Sequence, residues 1–325
     1  MAGTIIFNSD ELLPASWSHF PASGPVRTFN PGLLREKNGG WLFAYRVVGF
    51  DMIRRIGLCR LSSSLQLVAD SQVALSDLVR FPPKCAYPER VTTWFADPRL
   101  MRLAGRIFLY WNSGWHEPQN SQFLQEIDAN SLQPVGYARE LILQGRRRKL
   151  EKNWGIFGDD PFYAIYSIAP HRVLKFSLEG EGDIVCSEIH SEDWPHEDYT
   201  ARFGELRGGA PPQLAGTRYY SFCHSVHTTP EGYRYVPAVY RFAAAPPFAP
   251  ETAPLHPFRL ANPFGDQPLH PRLNPAIHEV VYPCGAVEED DRWIISYGIN
   301  DEHCAIDSVR DAELSSTLRP FNLKG

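Results

Sequence analysis

We place the candidate chemistry of this chain in the stretch Thr93-Trp94-Phe95-Ala96-Asp97-Pro98-Arg99-Leu100. It places a carboxylate and a proline directly ahead of an apolar run, Ile-Phe-Leu-Tyr-Trp, at 107–111. Asp97-Pro98 has two interpretations: a turn starter, since Asp and Pro favour turns, or a general acid at the mouth of a buried strand. Taken alone, the pair favours the turn, but four other segments of the chain repeat the same layout.

The repeated unit consists of an opening motif, an extended stretch, a turn and an apolar strand. The apolar strands are predicted at 41–47, 107–111, 162–167, 218–224 and 292–298. The openings are spaced 67, 56, 56 and 75 residues apart, and they contain Asn30, Asp97, Asn153, Gly209 and Cys284. Four short strands per unit and five units are typical of a β-propeller.

We therefore predict an all-β protein, a five-bladed β-propeller with four-stranded blades around a central pocket. The prediction is a single domain over residues 1–325, with blades beginning near 26, 93, 151, 206 and 281. Such a unit cannot bury both of its faces alone, so the blades must stack around an axis. The first blade should end with an outer strand near 65–68, and the Pro-rich segments 69–91 and 243–281 should be loops. The alternative, two packed β domains, would need a linker that the sequence does not offer.

Composition narrows the class of protein further. Aromatic residues make up 13% of the chain, and 28 prolines and 24 glycines favour strands and turns over long helices. A net charge of −5 argues against nucleic acid and acidic membranes as main partners. Neither a signal peptide nor an apolar run of about 18–20 residues is evident, so no membrane span is predicted. The six cysteines lack CxxC pairs, which favours a reducing cytoplasm.

If each opening is the innermost strand of its blade, polar residues from all five units converge on one pocket. The predicted site consists of Asn30, Arg46, Asp97, Arg99, Asn112, Lys152, Asn153, Trp154, Arg207, His224, Tyr282, Asn300 and Asp301. Aromatic faces suit the C–H surfaces of a sugar, fixed polar groups suit its hydroxyls, and the cations imply an anion such as phosphate. The predicted partner is thus an oligosaccharide or a sugar phosphate. No metal or cofactor is predicted beyond phosphate as a co-substrate, and a homo-oligomer is left open.

Several of these residues have a structural alternative. Arg46 could form a structural ion pair, and His224 could be a core histidine. Lys152 and Asn153 could shape a turn, and Glu151 could pair with a nearby arginine.

The order of the motifs resembles the five-bladed propeller glycosidases. The likeness covers residues 26–308 and is strongest to glycoside hydrolase family 130, the β-mannoside phosphorylases and hydrolases, and to related β-1,2-mannosyl transferases. The motifs that carry it are Asn30-Pro31, Ala44-Tyr45-Arg46, Asp97-Pro98-Arg99, Glu151-Lys152-Asn153-Trp154, Arg207-Gly208-Gly209-Ala210-Pro211, His224, Pro283-Cys284-Gly285 and Gly298-Ile299-Asn300-Asp301.

The resemblance implies roles for individual residues. Asp97 matches the general acid of the family's Glu-Asp-Pro-Arg motif, and Asp301 matches an acidic residue that contacts the sugar. The residues near positions that bind phosphate or the sugar beside the scissile bond are Arg46, Lys152 or Asn153, Arg207 and His224.

The sequence also departs from the family pattern. Ala96 stands where a Glu is usual, and Arg207 stands where a Lys is common. The Glu-Lys-Asn-Trp motif resembles transferase-like relatives as much as phosphorylases.

The expected function is an inverting glycoside phosphorylase or glycosyl transferase acting on β-mannoside-like oligosaccharides, with Asp97 as proton donor. A hydrolase of the same fold is an alternative, and it would need a carboxylate about 6.5–9.5 Å from the acid to activate water. Asp301, Glu205 and Glu151 are the candidates for that base. The remaining alternatives are a transferase that uses a sugar-nucleotide donor, a non-catalytic glycan-binding propeller and a protein-interaction scaffold.

Overall fold

The computed structural model describes residues 3–321, apart from 84, 86, 114–119 and 149–150. Strands dominate this part of the chain, as predicted from its aromatic and turn-forming residues. The helices are short: α1 (Ser9–Leu12), a 3₁₀ turn (Ala15–Trp17), α2 (Phe20–Ser23), α3 (Leu75–Leu78), α4 (Glu89–Thr92), α5 (Glu197–Phe203) and α6 (Asp311–Ser316). Among these described helices, none has the length and apolar character needed to cross a bilayer. All six cysteines are free thiols.

The chain starts with a short strand, β1 (Ile5–Phe7), and continues into the first antiparallel meander. That meander contains β2 (Arg27–Arg35), β3 (Trp41–Val48) and β4 (Arg54–Leu61). The outer strand predicted at 65–68 is wrong. Leu65 has φ of 62°, which breaks an extended run, so residues 65–73 pair with β4 only through the isolated bridges Leu61–Leu67 and Leu58–Val73.

The second and third meanders share one sheet. The second contains β5 (Ala96–Leu103), β6 (Arg106–Ser113), β7 (Ser121–Ile127) and β8 (Pro134–Leu143). The third contains β9 (Gly155–Phe157), β10 (Phe162–Ser167), β11 (His171–Phe176) and β12 (Ile184–Glu192). Their outer strands β8 and β12 join through a short parallel pairing.

The fourth and fifth meanders share another sheet. The fourth contains β13 (Glu205–Arg207), β14 (Gln213–Ala215), β15 (Arg218–Thr229), β16 (Gly232–Ala243) and β17 (Pro250–Pro254). The fifth contains β18 (Ile277–Glu289), β19 (Arg292–Ile299) and β20 (His303–Arg310), and β21 (Leu318–Pro320) pairs with β17. Strand β17 and the first residues of β18 lie inside the segment 243–281 that was predicted to be a loop, so that prediction holds only for 244–249 and 255–276.

The N-terminal strand completes the fifth meander. Strand β1 pairs antiparallel with β20, with Ile5 opposite Ile306. The two ends of the chain therefore meet in one sheet, which ties the last meander to the first residues of the chain.

Each meander packs its two faces against two different neighbours. In β3, Leu42 and Ala44 pack toward the second meander, whereas Phe43 and Tyr45 pack toward the fifth. This alternation follows from the period of two in a strand. One apolar cluster lies between each neighbouring pair of meanders, with representative residues Ala44 and Leu109, Tyr110 and Leu174, Val173 and Tyr240, Phe222 and Trp293, and Ile294 and Phe43. The fifth meander packs on the first, so the stack of meanders closes on itself.

The first strands of the meanders approach each other closely inside this stack. A Cβ atom on Gly209 would lie 2.7 Å from the carbonyl oxygen of Pro283, and one on Gly285 would lie 2.5 Å from the backbone nitrogen of Leu33. The Trp154 N–H donates to the Tyr110 hydroxyl at 3.2 Å, which links the third meander to the second. Backbone of the inner strands therefore comes together at the centre of the stack, with no room for larger residues.

We expect Gly209→Ala to destabilise the protein by about 1–3 kcal/mol, the usual cost of inserting a methyl group into a packed interior. The added Cβ would also lie 2.6 Å from the carbonyl oxygen of Phe222, so backbone has to move. Urea unfolding of the variant measures the loss. Gly182→Ala is the matched control, because its Cβ would meet no atom within 4 Å. Equal stability of the two variants would contradict close packing at the centre.

Candidate active site

A cavity of about 160 Å³ opens where the first strands of the meanders meet. It brings together residues from all five meanders, as the sequence predicted for the opening motifs. The cavity is lined by Asn30, Arg46, Arg54, Trp94, Ala96, Asp97, Asn112, Lys152, Asn153, His224, Tyr235, Leu273, Asn274, Ile277, Tyr282 and Asp301.

The polar residues of the opening motifs share an unusual backbone conformation. Asn30, Asp97, Asn153 and Asp301 have φ between 53° and 61°, in the left-handed region. Asn and Asp tolerate this region better than other residues with a Cβ. The pairing of β2 with β3 and of β5 with β6 shifts register at Asn30 and Asp97, as in a β-bulge. Bulges redirect side chains, which explains how Asn30 and Asp97 reach the cavity.

Asp97 is held as a carboxylate by three side chains. The Asn30 amide donates to Oδ1 at 2.8 Å, the Asn112 amide donates to Oδ2 at 3.5 Å, and the Arg46 guanidinium lies 3.5 Å from Oδ1. Burial by itself raises the pKa of Asp97. The charges of Arg46, Arg99 and Lys152 and the Asn30 hydrogen bond outweigh burial and bring the pKa below its usual value.

Asp301 lines the same cavity in a different electrostatic setting. Burial raises the pKa of Asp301 to about 6, and the neighbouring negative charges of Asp97 and Glu302 contribute to the increase. The charges of Arg46 and Lys152 lower the pKa of Asp301 but do not offset this increase. The cavity therefore contains two carboxyl groups with separated pKa values, an arrangement that occurs in sites of acid–base chemistry.

Lys152 and His224 supply polar groups that are poorly compensated. Burial lowers the pKa of Lys152, and the nearby Arg207 and Arg46 charges lower it further. Burial also holds the pKa of His224 well below its usual value, so the imidazole is neutral. Its Nδ1 is buried and has no hydrogen-bond partner among the described residues. A bound polar ligand would satisfy both groups.

Arg99 and Tyr282 form a support for the cavity. The Arg99 guanidinium donates to the Gly209 carbonyl at 2.6 Å and to the Tyr282 hydroxyl at 2.5 Å. The Tyr282 hydroxyl in turn donates to Asn153 Oδ1 at 2.8 Å. Arg99 is 1% exposed and does not line the cavity, so its predicted contact with substrate is corrected to support of the residues that do.

Two other predicted site residues are also placed away from the cavity. Trp154 is 1% exposed and packs against Tyr166 in the apolar cluster between the second and third meanders. Asn300 uses both ends of its amide within the protein, donating to the Gly265 carbonyl at 2.9 Å and accepting from the Val280 N–H at 3.0 Å. The Trp154 side chain is packed in the core and the Asn300 amide is hydrogen-bonded to backbone, so neither is available to a ligand. The spacing of motifs in the sequence does not reveal such contacts.

Arg207 lies in a neighbouring cavity that shares Lys152 and Asn153 with the first. It pairs there with Glu205 at 2.8 Å. Glu151, which also lines that cavity, accepts from Arg147 and from the Tyr166 hydroxyl at 2.7 Å. The expectation that Glu151 pairs with an arginine is confirmed.

Sequence reasoning missed several cavity residues. Trp94 lies in the opening motif of the second unit, beneath the guanidinium of Arg54 at 3.8 Å, and its position beside Asp97 was a usable signal. Tyr235 packs 4.9 Å from the His224 ring. Leu273 and Asn274 come from the irregular segment 255–276, where no motif marked them.

No protein-family model matches this chain, and no curated protein matches it in sequence. Solved structures do match it in three dimensions. A β-1,2-mannobiose phosphorylase from Listeria innocua has a TM-score of 0.62 at 14% identity, over 97% of this chain and 98% of that one. A structure of the GH130 family of mannoside phosphorylases, which contains glycoside hydrolases that target β-1,2-mannosidic linkages in Candida mannan, has a TM-score of 0.62 at 15% identity, over 99% and 96% of the two chains.

A third structure, from Bacteroides thetaiotaomicron and assigned to the glycosidases, has a TM-score of 0.63 at 13% identity, over 94% of this chain and 93% of that one. The similarity extends over nearly the whole of each chain. The resemblance stated from the motifs is thus confirmed at the level of the fold, and at these identities the comparison speaks for the fold alone.

Proposed function

We propose that this protein is a single-domain, five-bladed β-propeller enzyme that cleaves or forms β-mannoside-like bonds by phosphate-dependent glycosyl transfer. The five meanders are its blades, and the central cavity is its active site. The observation that carries the proposal is the combination of two carboxyl groups with separated pKa values and a set of cations in one cavity with aromatic walls. Similarity of fold to mannoside phosphorylases supports this chemistry by analogy.

In the proposed reaction, phosphate is the nucleophile and Asp97 is the proton donor. A phosphate oxygen forms a bond to the anomeric carbon while the bond from that carbon to the glycosidic oxygen breaks. The departing oxygen takes a proton from the carboxyl group of Asp97, and the anomeric configuration inverts. A β-mannoside would therefore give an α-mannosyl phosphate. A second carboxylate is not needed to activate water.

Binding of phosphate would also prepare Asp97 for this role. The charges that lower the pKa of Asp97 belong to Arg46, Arg99 and Lys152. Phosphate bound beside Arg46 and Lys152 would offset those charges, so the pKa of Asp97 should rise in the complex. The acid would then take up its proton with the co-substrate.

A hydrolase is the second candidate function, and one observation supports it. Asp301 shares the cavity with Asp97 and could activate water once ionised. Glu151 and Glu205, the other candidate bases, line the neighbouring cavity and are engaged with Arg147 and Arg207. Phosphate dependence separates the two reactions.

The deciding experiment is an assay of the purified protein with β-1,2-mannobiose, with and without inorganic phosphate. Phosphorolysis gives α-mannose 1-phosphate only when phosphate is present. Release of mannose at the same rate without phosphate would favour the hydrolase. Binding of the sugar without any product would favour a non-catalytic glycan-binding protein.

We expect Lys152→Met to raise the KM for phosphate about tenfold or more. A charge-assisted hydrogen bond contributes about 1.5–3 kcal/mol, and Lys152 has no hydrogen bond or ion pair within the described residues that would compensate. Initial rates at varied phosphate and fixed sugar measure the change. Lys175→Met, on the exposed face of β11, is the matched control. An unchanged KM for phosphate would exclude Lys152 from the anion site.

A further inference from the structure

One wall of the cavity comes from the irregular segment that precedes β18. We call residues 269–277 the wall. Leu273, Asn274 and Ile277 line the cavity, and the rest of the wall connects them to the segment 255–268. Such a segment normally costs conformational entropy to hold in one position, so its attachments decide whether it can form a binding surface.

Two buried charged side chains fix the start of the wall. The Glu302 carboxylate accepts from the Leu269 N–H at 2.7 Å and from the His270 N–H at 2.8 Å. The Arg27 guanidinium donates to the Pro271 carbonyl at 2.8 Å and lies 4.0 Å from Glu302. Arg27 is 5% exposed and Glu302 is 4% exposed. Buried charged hydrogen bonds of this kind are costly to break.

Two of the residues that make such attachments flank Asp301 in the chain. Asn300 donates to the Gly265 carbonyl, Glu302 holds Leu269 and His270, and Asp301 between them faces the cavity. The distance between the wall and Asp301 is therefore set by residues adjacent in the chain. Movement of Glu302 would shift the wall relative to the carboxylate.

The wall differs in charge from the floor of the cavity. The floor contains Arg46, Asp97, Lys152 and Asp301, whereas the wall residues that line the cavity carry no charge. The guanidinium of Arg272 is turned into the segment, where it donates to the carbonyls of His278 and Asp266.

The cavity-lining groups of the wall suit an uncharged sugar ring. Leu273 and Ile277 offer aliphatic contact for the C–H face of a ring. The Asn274 Oδ1 accepts from the Ala276 N–H at 3.1 Å, which leaves its Nδ2 as a donor for a hydroxyl. The charged floor would hold the reacting carbon and phosphate, so the wall would contact a more remote unit.

We propose that the wall binds an uncharged sugar unit remote from the scissile bond, and that Glu302 is the positioning residue that fixes this site. The inference rests on the proposed function, and it extends the substrate class from disaccharides to oligosaccharides of three or more units, which gain a contact with the wall. Loss of a wall contact should then weaken binding of a trisaccharide and leave binding of the monosaccharide unchanged.

The test is calorimetric titration, without phosphate, of full-length protein carrying Asp97→Asn, which slows turnover, with β-1,2-mannotriose and with mannose. Leu273→Ala should weaken mannotriose binding about tenfold, since aliphatic contact is lost, and should leave mannose binding unchanged. Leu269→Ala is the matched control: it lies in the same segment, is 63% exposed and does not line the cavity.

Glu302→Gln tests the positioning role. Gln replaces one of the two carboxylate oxygens with an NH2 donor, so one of the two N–H groups loses its present acceptor. Mannotriose binding should therefore fall about fivefold or more, with mannose again unaffected. In the double variant with Leu273→Ala, the loss of binding free energy for mannotriose should be smaller than the sum of the two single losses, because both changes act on one contact surface. If Glu302 had a merely structural role, Glu302→Gln would weaken the binding of both sugars equally, or its effect on mannotriose binding would add fully to that of Leu273→Ala. Either result overturns the assignment of Glu302 as a positioning residue.

Other outcomes separate this inference from the proposed function. If mannotriose binds and Leu273→Ala has no effect, the wall is not a sugar site, while the proposed function stands. If neither sugar binds to protein with its unfolding temperature intact, both the proposed function and the wall assignment are contradicted.

Discussion

Asp97→Asn should lower kcat for β-1,2-mannobiose by about 10²–10⁴-fold, the usual contribution of a positioned general acid. The substitution removes the proton while preserving size, and Asn tolerates the φ of 56° that Asp97 adopts. Steady-state assays with saturating phosphate measure the loss. An aryl β-mannoside offers a further comparison, because a phenolate leaves without a proton, so the variant should lose much less activity on it.

Asp290→Asn is the matched control for this prediction. Asp290 also has a left-handed backbone, with φ of 55°, and lies exposed in the turn between β18 and β19, outside the lining of the cavity. Its variant should retain wild-type kcat. An Asp97→Asn protein that turns over both substrates normally would show that Asp97 is not the proton donor.

Asp301→Asn should both impair activity and stabilise the fold. A carboxylate that accepts a hydrogen bond from a sugar hydroxyl contributes about 1.5–3 kcal/mol, so kcat/KM should fall about 10- to 100-fold. In the wild-type protein, ionisation of Asp301 near pH 6 should limit kcat/KM on the acidic side. The pH–rate profile of the variant should lack that limb.

The effect of Asp301 on stability depends on pH in a defined direction. Its folded-state pKa of about 6 lies above the value of about 3.9 for an unfolded chain. The folded protein therefore binds more protons between these values, and wild-type stability falls as pH rises through about 6. Asp301→Asn cannot ionise, so its advantage should grow from near zero at pH 4 to about 1–3 kcal/mol at pH 7.5.

Asp97→Asn should change stability in the opposite direction and destabilise the folded protein at neutral pH. The pKa of Asp97 is depressed by its cationic neighbours, so its charge stabilises the folded protein at neutral pH, and this contribution is lost only as pH falls below the usual range of a carboxyl group. Urea unfolding at pH 4 and 7.5, with Asp290→Asn as reference, measures both variants. Equal shifts for the two would contradict the separation of their pKa values.

Much of the architecture could be predicted because it depends on local patterns. The apolar strands at 41–47, 107–111, 162–167, 218–224 and 292–298 all lie within observed strands. The missing outer strand at 65–68 is the exception, since Leu65 adopts a left-handed φ without being Gly, Asn or Asp. No residue-type signal marks such a position.

The candidate site was predictable where residue type fixes the backbone. Asn30, Asp97 and Asn153 carry the left-handed conformation that Asn and Asp favour, and all three reach the cavity. Trp154 immediately follows Asn153 yet turns into the core. Successive residues of an extended chain point to opposite sides, and only the packed neighbours decide which side is the cavity.

The repeated units, their strands and the polar residues at their openings could be predicted from the sequence, because these features follow from spacing, periodicity and turn chemistry. The electrostatic role of each polar residue, in contrast, depends on its neighbours in three dimensions. Asp97 and Asp301 are the same residue type with similar backbones, and their pKa values diverge because Arg46, Arg99, Lys152 and Asn30 surround one more effectively than the other. Electrostatic interactions act through space between residues that are far apart in the chain, so the order of residues in the sequence cannot assign these pKa shifts.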